Sequence, residues 1–265
     1  LGWKGDAAPE ADGFPFDVPA IRTLPALDLS APVTFFVGEN GSGKSTLLEA
    51  LALAAGLPTV GAEEAARDPT LEPQRRLARA LRLTWSARRT RGFFLRAEDF
   101  FGFQKRLARD RAELSGRLAE LEVEYRDRSA YARTLAQGPA RGSLDEWTRR
   151  YGENPDAASH GQAFLRLFQA RFIPGGLHLL DEPEVPLSPQ NQLGLLALLL
   201  TMAESGAQFV IATHSPILLG YPGARIYDFD RTPIAETTYD ALDHVTITRD
   251  FLNDPARFLR RLGES

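Results

Sequence analysis

The chain has 265 residues, 43% of them hydrophobic, enough to bury the core of one large domain or of one domain with an insertion. Its 31 basic and 35 acidic residues leave a formal charge of −4, which argues against a chain that coats nucleic acid over its whole surface. The absence of cysteine excludes disulfides, zinc–thiolate sites and thiol catalysis.

In chain order, the first strong signal is the apolar run Pro32 to Val37, which reads as a buried strand. It feeds Gly38-Glu39-Asn40-Gly41-Ser42-Gly43-Lys44-Ser45-Thr46, a match to the phosphate-binding pattern G-x-x-x-x-G-K-[S/T]. Leu47 to Ala55 then reads as a helix closed by Gly56 and Pro58. A strand, a glycine-rich turn and a helix start surround an anionic phosphate with backbone N–H groups and the helix's positive end. Gly38, Gly41 and Gly43 permit backbone shapes that a side chain would block. Lys44 reaches the β- and γ-phosphates, and the Ser45 hydroxyl is placed to ligate Mg²⁺. Only three of the basic residues are lysines, Lys4, Lys44 and Lys105, and a compact ammonium suits a phosphate cradle better than a planar guanidinium. The reading is nucleoside triphosphate binding.

Two further strand-like runs, Leu81 to Ser86 and Gly92 to Arg96, are expected to continue the core. A charged helical segment follows from Gln104 to Gln137, where Leu107, Arg111, Leu114, Leu118, Leu121 and Tyr125 alternate spacings of four and three. Its seam fits a helix packed on its own domain as well as a lobe that meets a partner. Lys105, Arg106, Arg109, Arg111 and Arg117 are offset by Asp110, Glu113, Glu120, Glu122 and Glu124, so no DNA site is assigned. Gly138 to Ser143 reads as a flexible link.

Ser159-His160-Gly161-Gln162 opens an amphipathic helix, with Ser159 as N-cap and its free N–H groups a second anion site. Gly176 to Pro183 is a short strand ending in two carboxylates. Asp181 is placed to hold Mg²⁺, and Glu182 to act as general base or to position the attacking water. Gln208 to Pro216 is another buried strand, with His214 at its carboxyl end as a γ-phosphate sensor; in an open parallel sheet ligands bind there. Ala224 to Phe229 and Pro233 to Tyr239 read as an antiparallel edge pair, and Pro255 to Leu262 as an amphipathic helix. Phe14 and Phe16 are the candidates to stack an adenine. The longest apolar stretch, Leu193 to Met202, is interrupted by Gly194 and Thr201 and is too short for a membrane span. With no signal-peptide pattern at its start, although an initiator Met is missing, a cytoplasmic protein without membrane insertion is expected.

The P-loop, the S-x-G-Q helix start, the strand with D-E-P and the strand with T-H-S, in that order, resemble the ABC-type ATPases over about residues 14 to 260. Within them the chain is similar to the stand-alone soluble group related to the RecF-type and SMC-type ATPases. Similar runs to Val33–Gly41, Gly92–Glu98, Leu180–Glu184 and Leu187–Pro189 occur in a bacterial family of predicted ATPases. The resemblance implies an α/β P-loop NTPase fold, an ABC-type ATPase core in a single domain over 1–265, with a helical insertion at about 100–150. It implies ATP and Mg²⁺ as cofactors and a homodimer in the ATP state. Ser159, Gly161 and Gln162 would contact the γ-phosphate of ATP bound by the partner's P-loop, with Asp181 on Mg²⁺, Glu182 on water and His214 as the switch histidine. At 1.5 Å per residue, about 30 helical residues span roughly 45 Å, far short of an SMC-type arm.

The match departs from the family at three places. His160 and Ala158 replace the Gly and Leu of L-S-G-G-Q. After Pro183 the chain reads E-V-P-L-S-P instead of S-A-L-D, with Ser188 as an N-cap candidate. No Gln ends the Gly92 to Arg96 strand, which leaves the Q-loop role open among Arg96, Glu98 and Gln104. The function expected is ATP hydrolysis with head-to-tail dimerisation, in DNA repair or genome defence by family analogy, with DNA or a protein effector open as a further partner. The alternatives are the ATP-binding subunit of a membrane transporter and a slow regulatory switch for a partner effector.

Overall fold

Short apolar runs bounded by glycine and proline fold as strands, and the longer periodic runs between them as helices. The computed structural model describes residues 1–5, 13–60, 71–86, 91–151 and 160–263. The first elements are β1 (Gly2–Trp3), α1 (Pro19–Arg22), β2 (Val33–Val37), α2 (Lys44–Ala55), α3 (Glu72–Ala80) and β3 (Leu81–Arg82). Then come β4 (Gly92–Arg96), α4 (Asp99–Glu124), α5 (Ala130–Tyr151), α6 (His160–Arg171), β5 (Leu177–Asp181) and α7 (Pro189–Glu204). The chain continues with β6 (Gln208–Ala212), α8 (Pro216–Leu219), β7 (Arg225–Asp228), β8 (Ala235–Thr237), α9 (Asp243–Asn253) and α10 (Pro255–Gly263).

Six strands form one sheet in the order β4-β5-β6-β2-β7-β8, parallel except for β8, which runs antiparallel to β7 as the edge pair expected. Side chains alternate between two cores, one on each face. Val33, Phe35 and Val37 of β2 pack with Phe209 and Ile211 of β6 and with Phe164, Phe168 and Leu195 of α6 and α7. Phe36, Val210 and Ala212 face the other way, against Leu47, Leu48 and Leu51 of α2 and Leu77 of α3. Gly56 ends α2 at φ +69°, its N–H and that of Leu57 returning to Leu53 and Ala52. Ser188 caps α7 as expected, accepting the Asn191 N–H at 3.4 Å, with Pro189 in the first turn. Among the described residues, no helix is long and apolar enough to cross a membrane.

Three expectations need correction. The run Leu81 to Ser86 does not join the main sheet: β3 pairs antiparallel with β1, Trp3 opposite Leu81. The helical segment from Gln104 breaks at 125–129 and becomes two helices, α4 and α5, packed on each other. Gly138 to Ser143 is not a link but the middle of α5. Pro139 removes one N–H from that helix, while the buried Gln137 and Trp147 anchor it on either side. The seam itself holds: Leu121 is buried and Leu107, Arg111, Leu114, Leu118 and Tyr125 are half-buried while their neighbours are largely exposed. Its one charged member, Arg111, lies over the Trp147 ring of α5, 5.7 Å from the centroid.

Candidate active site

The strand order brings three loops together. β6 lies between β2 and β5 and is parallel to both, so the carboxyl ends of the three strands sit side by side, roughly 5 Å apart per strand. β2 leads into the P-loop, β5 ends at Asp181, and β6 leads to Thr213-His214-Ser215.

Gly38, Gly41 and Gly43 all have positive φ, as the sequence requires. At Gly43 space agrees with backbone: a Cβ would meet Val18 Cγ1 at 2.9 Å. The first intrahelical bond of α2 runs from the Leu47 N–H to Gly43 O, so the N–H groups of Lys44, Ser45 and Thr46 have no acceptor within the helix. Asn40 and Gly41 are exposed at the mouth, and Ser42 and Thr46 are half-buried. Lys44 is only 4% exposed, and its Nζ donates to Gly38 O at 2.6 Å and Glu39 O at 2.9 Å. Burial pulls the Lys44 pKa down, against the charges of Glu182, Asp230, Asp181 and Glu39.

The two halves of the site meet where the Ser45 hydroxyl donates to Asp181 Oδ1 at 3.1 Å, across 136 residues of chain. Burial pushes Asp181 up to about 7, with the Ser45 bond pulling the other way. A buried carboxylate beside a hydroxyl, in a mouth with four carboxylates around one ammonium, fits a hard divalent cation. Among the described residues no three His, Asp or Glu side chains group as a complete metal cage, so phosphate oxygens and water would complete such an ion's shell.

Glu182 is the one described non-glycine residue at positive φ, +50°. That backbone costs about 1–3 kcal/mol and persists only where neighbours over-determine it. Here the Glu182 N–H is held by Ala212 O at 2.9 Å, and Glu182 O accepts the Val185 N–H at 3.1 Å. Its Oε1 lies 4.0 Å from His214 Nε2, both side chains being open to solvent by more than a third. The structure therefore brings Lys44, Ser45, Asp181, Glu182 and His214 together.

The S-x-G-Q segment is elsewhere. Ser159 lies outside the described residues, and α6 begins at His160. Gly161 is buried against the start of α7, where a Cβ would meet the Asn191 amide and the Pro186 carbonyl, and Gln162 is exposed. Of the adenine candidates, Phe16 is corrected: it is 6% exposed, packed in the core beneath Arg76, while Phe14 is exposed. At the open Q-loop position, Arg96 stands opposite Asp181 across the strand pair. Its guanidinium turns instead to Glu49 (2.8 Å), Asp99 (3.0 Å) and Glu98 (3.4 Å). Gln104 falls within α4.

Three residues near the site escaped the motif reading. The Asp230 carboxylate accepts the Glu39 N–H at 2.8 and 3.0 Å, bracing the P-loop from the turn after β7. Glu184 Oε1 accepts the His214 N–H at 2.7 Å. His244, in the first turn of α9, sets its ring 6.4 Å from that of His214, and burial lowers its pKa. The sequence signal for Glu184 was only its place two residues after Glu182; Asp230 and His244 had none.

An α/β P-loop NTPase domain is the class that this sheet and these motifs define. The chain belongs to the family described as "AAA domain, putative AbiEii toxin, Type IV TA system", whose model matches residues 68–220, more than half of it. A second model, described as "AAA domain", matches residues 21–76. Comparison with curated proteins gave no match. Solved structures similar to the chain include an SMC head domain from Thermotoga maritima, at 14% identity and TM-score 0.39, covering 80% of this chain and 92% of that one. Another is the Smc head with an extended coiled coil, bound to the C-terminal domain of ScpA, from Pyrococcus furiosus, at 11% and 0.38, covering 82% and 92%. The ATP-binding subunit of an ABC transporter follows at 20% and 0.35, covering 83% and 82%. At these scores the likenesses add nothing to what the sheet order and the P-loop establish.

Proposed function

We propose that the chain is a Mg²⁺-dependent ATPase that closes head to tail into a homodimer when ATP is bound. The observation that carries the Mg²⁺-ATPase part of this reading is the Ser45–Asp181 bond at 3.1 Å, which joins the P-loop to the strand-end carboxylates; the closure rests on the resemblance of the S-x-G-Q segment. On ATP binding, Lys44 exchanges its Gly38 and Glu39 carbonyls for β- and γ-phosphate oxygens, and the N–H groups of Gly43 to Thr46 wrap the β-phosphate. Ser45 and Asp181 would hold Mg²⁺, which, when bound, neutralises phosphate charge.

Glu182 takes a proton from the attacking water as its oxygen bonds to the γ-phosphorus and the bridging P–O bond to ADP breaks. His214, 4.0 Å from that carboxylate, donates from Nε2 to a γ-phosphate oxygen and fixes it in line. In this reading Ser159, Gly161 and Gln162 complete the partner's site, although Gly161 is buried against α7 of its own chain and only Gln162 of the described pair is exposed. Helices α4 and α5 form an insertion, at about 100–150, in a single domain over 1–265. The family's description names a toxin–antitoxin system, which favours genome defence over DNA repair as the setting. The test is the ATP turnover rate with and without single- and double-stranded DNA, beside Lys44→Ala. Turnover that Lys44→Ala abolishes supports the ATPase reading; release of phosphate at the background rate by the unaltered chain overturns it.

A further inference from the structure

The turn after β5 carries a second glutamate that the chemistry above leaves unused. Glu184 follows the strained Glu182 by two residues, and one tight turn fixes both: the Val185 N–H donates to Glu182 O at 3.1 Å and the Leu187 N–H to Glu184 O at 2.8 Å. The neighbouring Val185 points to solvent, 65% exposed, yet the Glu184 carboxylate turns inward. Burial raises its pKa, and the His214 N–H and the Thr213 hydroxyl draw it back down. A carboxylate withdrawn from water costs stability unless its oxygens find donors.

Its strongest donor is the backbone of the switch loop, His214 N–H to Glu184 Oε1 at 2.7 Å. On either side of His214, the Thr213 backbone and the Ser215 side chain are tied elsewhere. Thr213 N–H reaches Phe36 O at 3.2 Å on β2, and the Ser215 hydroxyl reaches Gln192 Oε1 at 2.6 Å on α7. Those contacts position the loop against the sheet and α7. The Glu184 bond ties His214 itself to the turn that carries Glu182, whose Oε1 is 4.0 Å from the ring; the Glu182 N–H on Ala212 O, at 2.9 Å, joins that turn to the strand end before the loop.

We propose that Glu184 is the positioning residue of His214: it clamps the histidine backbone to the Glu182 turn, so that the water-activating carboxylate and the γ-phosphate donor act as one rigid unit. The inference rests on the reading that Glu182 and His214 serve hydrolysis. It is tested by kcat and by ATP affinity in Glu184→Ala, Glu184→Gln, His214→Ala and the double variant Glu184→Ala/His214→Ala, with thermal melting of each.

A misplaced donor costs rate and leaves ground-state binding alone, so Glu184→Ala is expected to lose about 10- to 100-fold in kcat with ATP affinity changed by less than about twofold. Glu184→Gln, whose amide carbonyl still accepts the His214 N–H, recovers most of that loss. In the His214→Ala background the Glu184→Ala change adds little, because the ring it positions is gone. Additive losses in the double variant, a parallel fall in ATP affinity, or no recovery in Glu184→Gln would overturn the proposal. If His214→Ala itself turns over at the unaltered rate, it is the assignment of His214 to hydrolysis that fails.

Discussion

At the carboxyl edge of the sheet, the charged groups of Lys44 and Asp181 are withdrawn from water and each is held by named partners. Along the α4–α5 pair, most charged groups stand in water. Lys44 is 4% exposed with two carbonyl acceptors, and Asp181 is 7% exposed with Ser45 on its carboxylate. Arg117 and Glu120 of α4 pair at 3.0 Å with side chains 60% and 68% exposed. The difference teaches which charges carry information. A desolvated charge is destabilising unless something offsets it, so its position is strongly constrained; a solvated pair is worth about 0–1 kcal/mol and constrains little.

The comparison breaks first if the core is soft. Phe164 is fully buried between the rings of Phe100 (4.4 Å) and Phe168 (4.6 Å), so Phe164→Ala is expected to lose about 3–5 kcal/mol. Leu114→Ala, on the half-buried seam of α4, is expected to lose about 1–2 kcal/mol by the area it covers. Urea unfolding of the two variants measures both. An equal loss would mean that α4 and α5 are packed as tightly as the core.

Next in size is the ion cluster beneath the P-loop helix. Arg96→Ala leaves Glu49, 10% exposed, without its guanidinium and is expected to lose about 3 kcal/mol in the same unfolding assay. Burial already raises the Glu49 pKa, with Arg96 opposing it, so in the variant Glu49 takes up a proton at higher pH.

His178 sharpens the contrast through pH. It lies fully buried among Phe93, Phe172 and Phe209, and burial lowers its pKa to about 4 from 6.5. The unfolded chain therefore binds this proton before the folded one does, so the His178 contribution to stability falls by at most about 3 kcal/mol as pH drops from about 6.5 toward 4, while Asp181, raised to about 7, contributes in the opposite direction. The difference in thermal melting between the unaltered chain and His178→Leu across that range isolates this contribution, and is expected to shrink as pH falls. The smallest effect belongs to the solvated face: Glu120→Ala is expected to change stability by less than about 0.5 kcal/mol.

The same contrast explains what the sequence revealed. Gly38 to Thr46, Asp181-Glu182 and His214 were legible because each motif lies within a few residues at the end of an apolar strand, and the sheet had only to align those ends. Glu184 was not, because a carboxylate in a turn reads as solvated until its Oε1 is seen on the His214 N–H, 30 residues away. Asp230 reaches Glu39 across 191 residues, and no local pattern carries such a pairing. Leu81 to Ser86 read as core strand on composition, yet its pairing partner is Gly2–Trp3 near the start of the chain, outside the six-stranded sheet. Gly138-Pro139 carries a strong local break signal, which packing of Gln137 and Trp147 overrides.

The most direct test of ATP-driven closure is light scattering on Glu182→Gln with and without Mg²⁺ and ATP. Removing the proposed general base is expected to slow turnover by about 10²- to 10⁴-fold while leaving ATP binding intact. The account predicts that ATP shifts the scattering mass from one chain to two and holds it there. A mass of one chain at saturating ATP would contradict it.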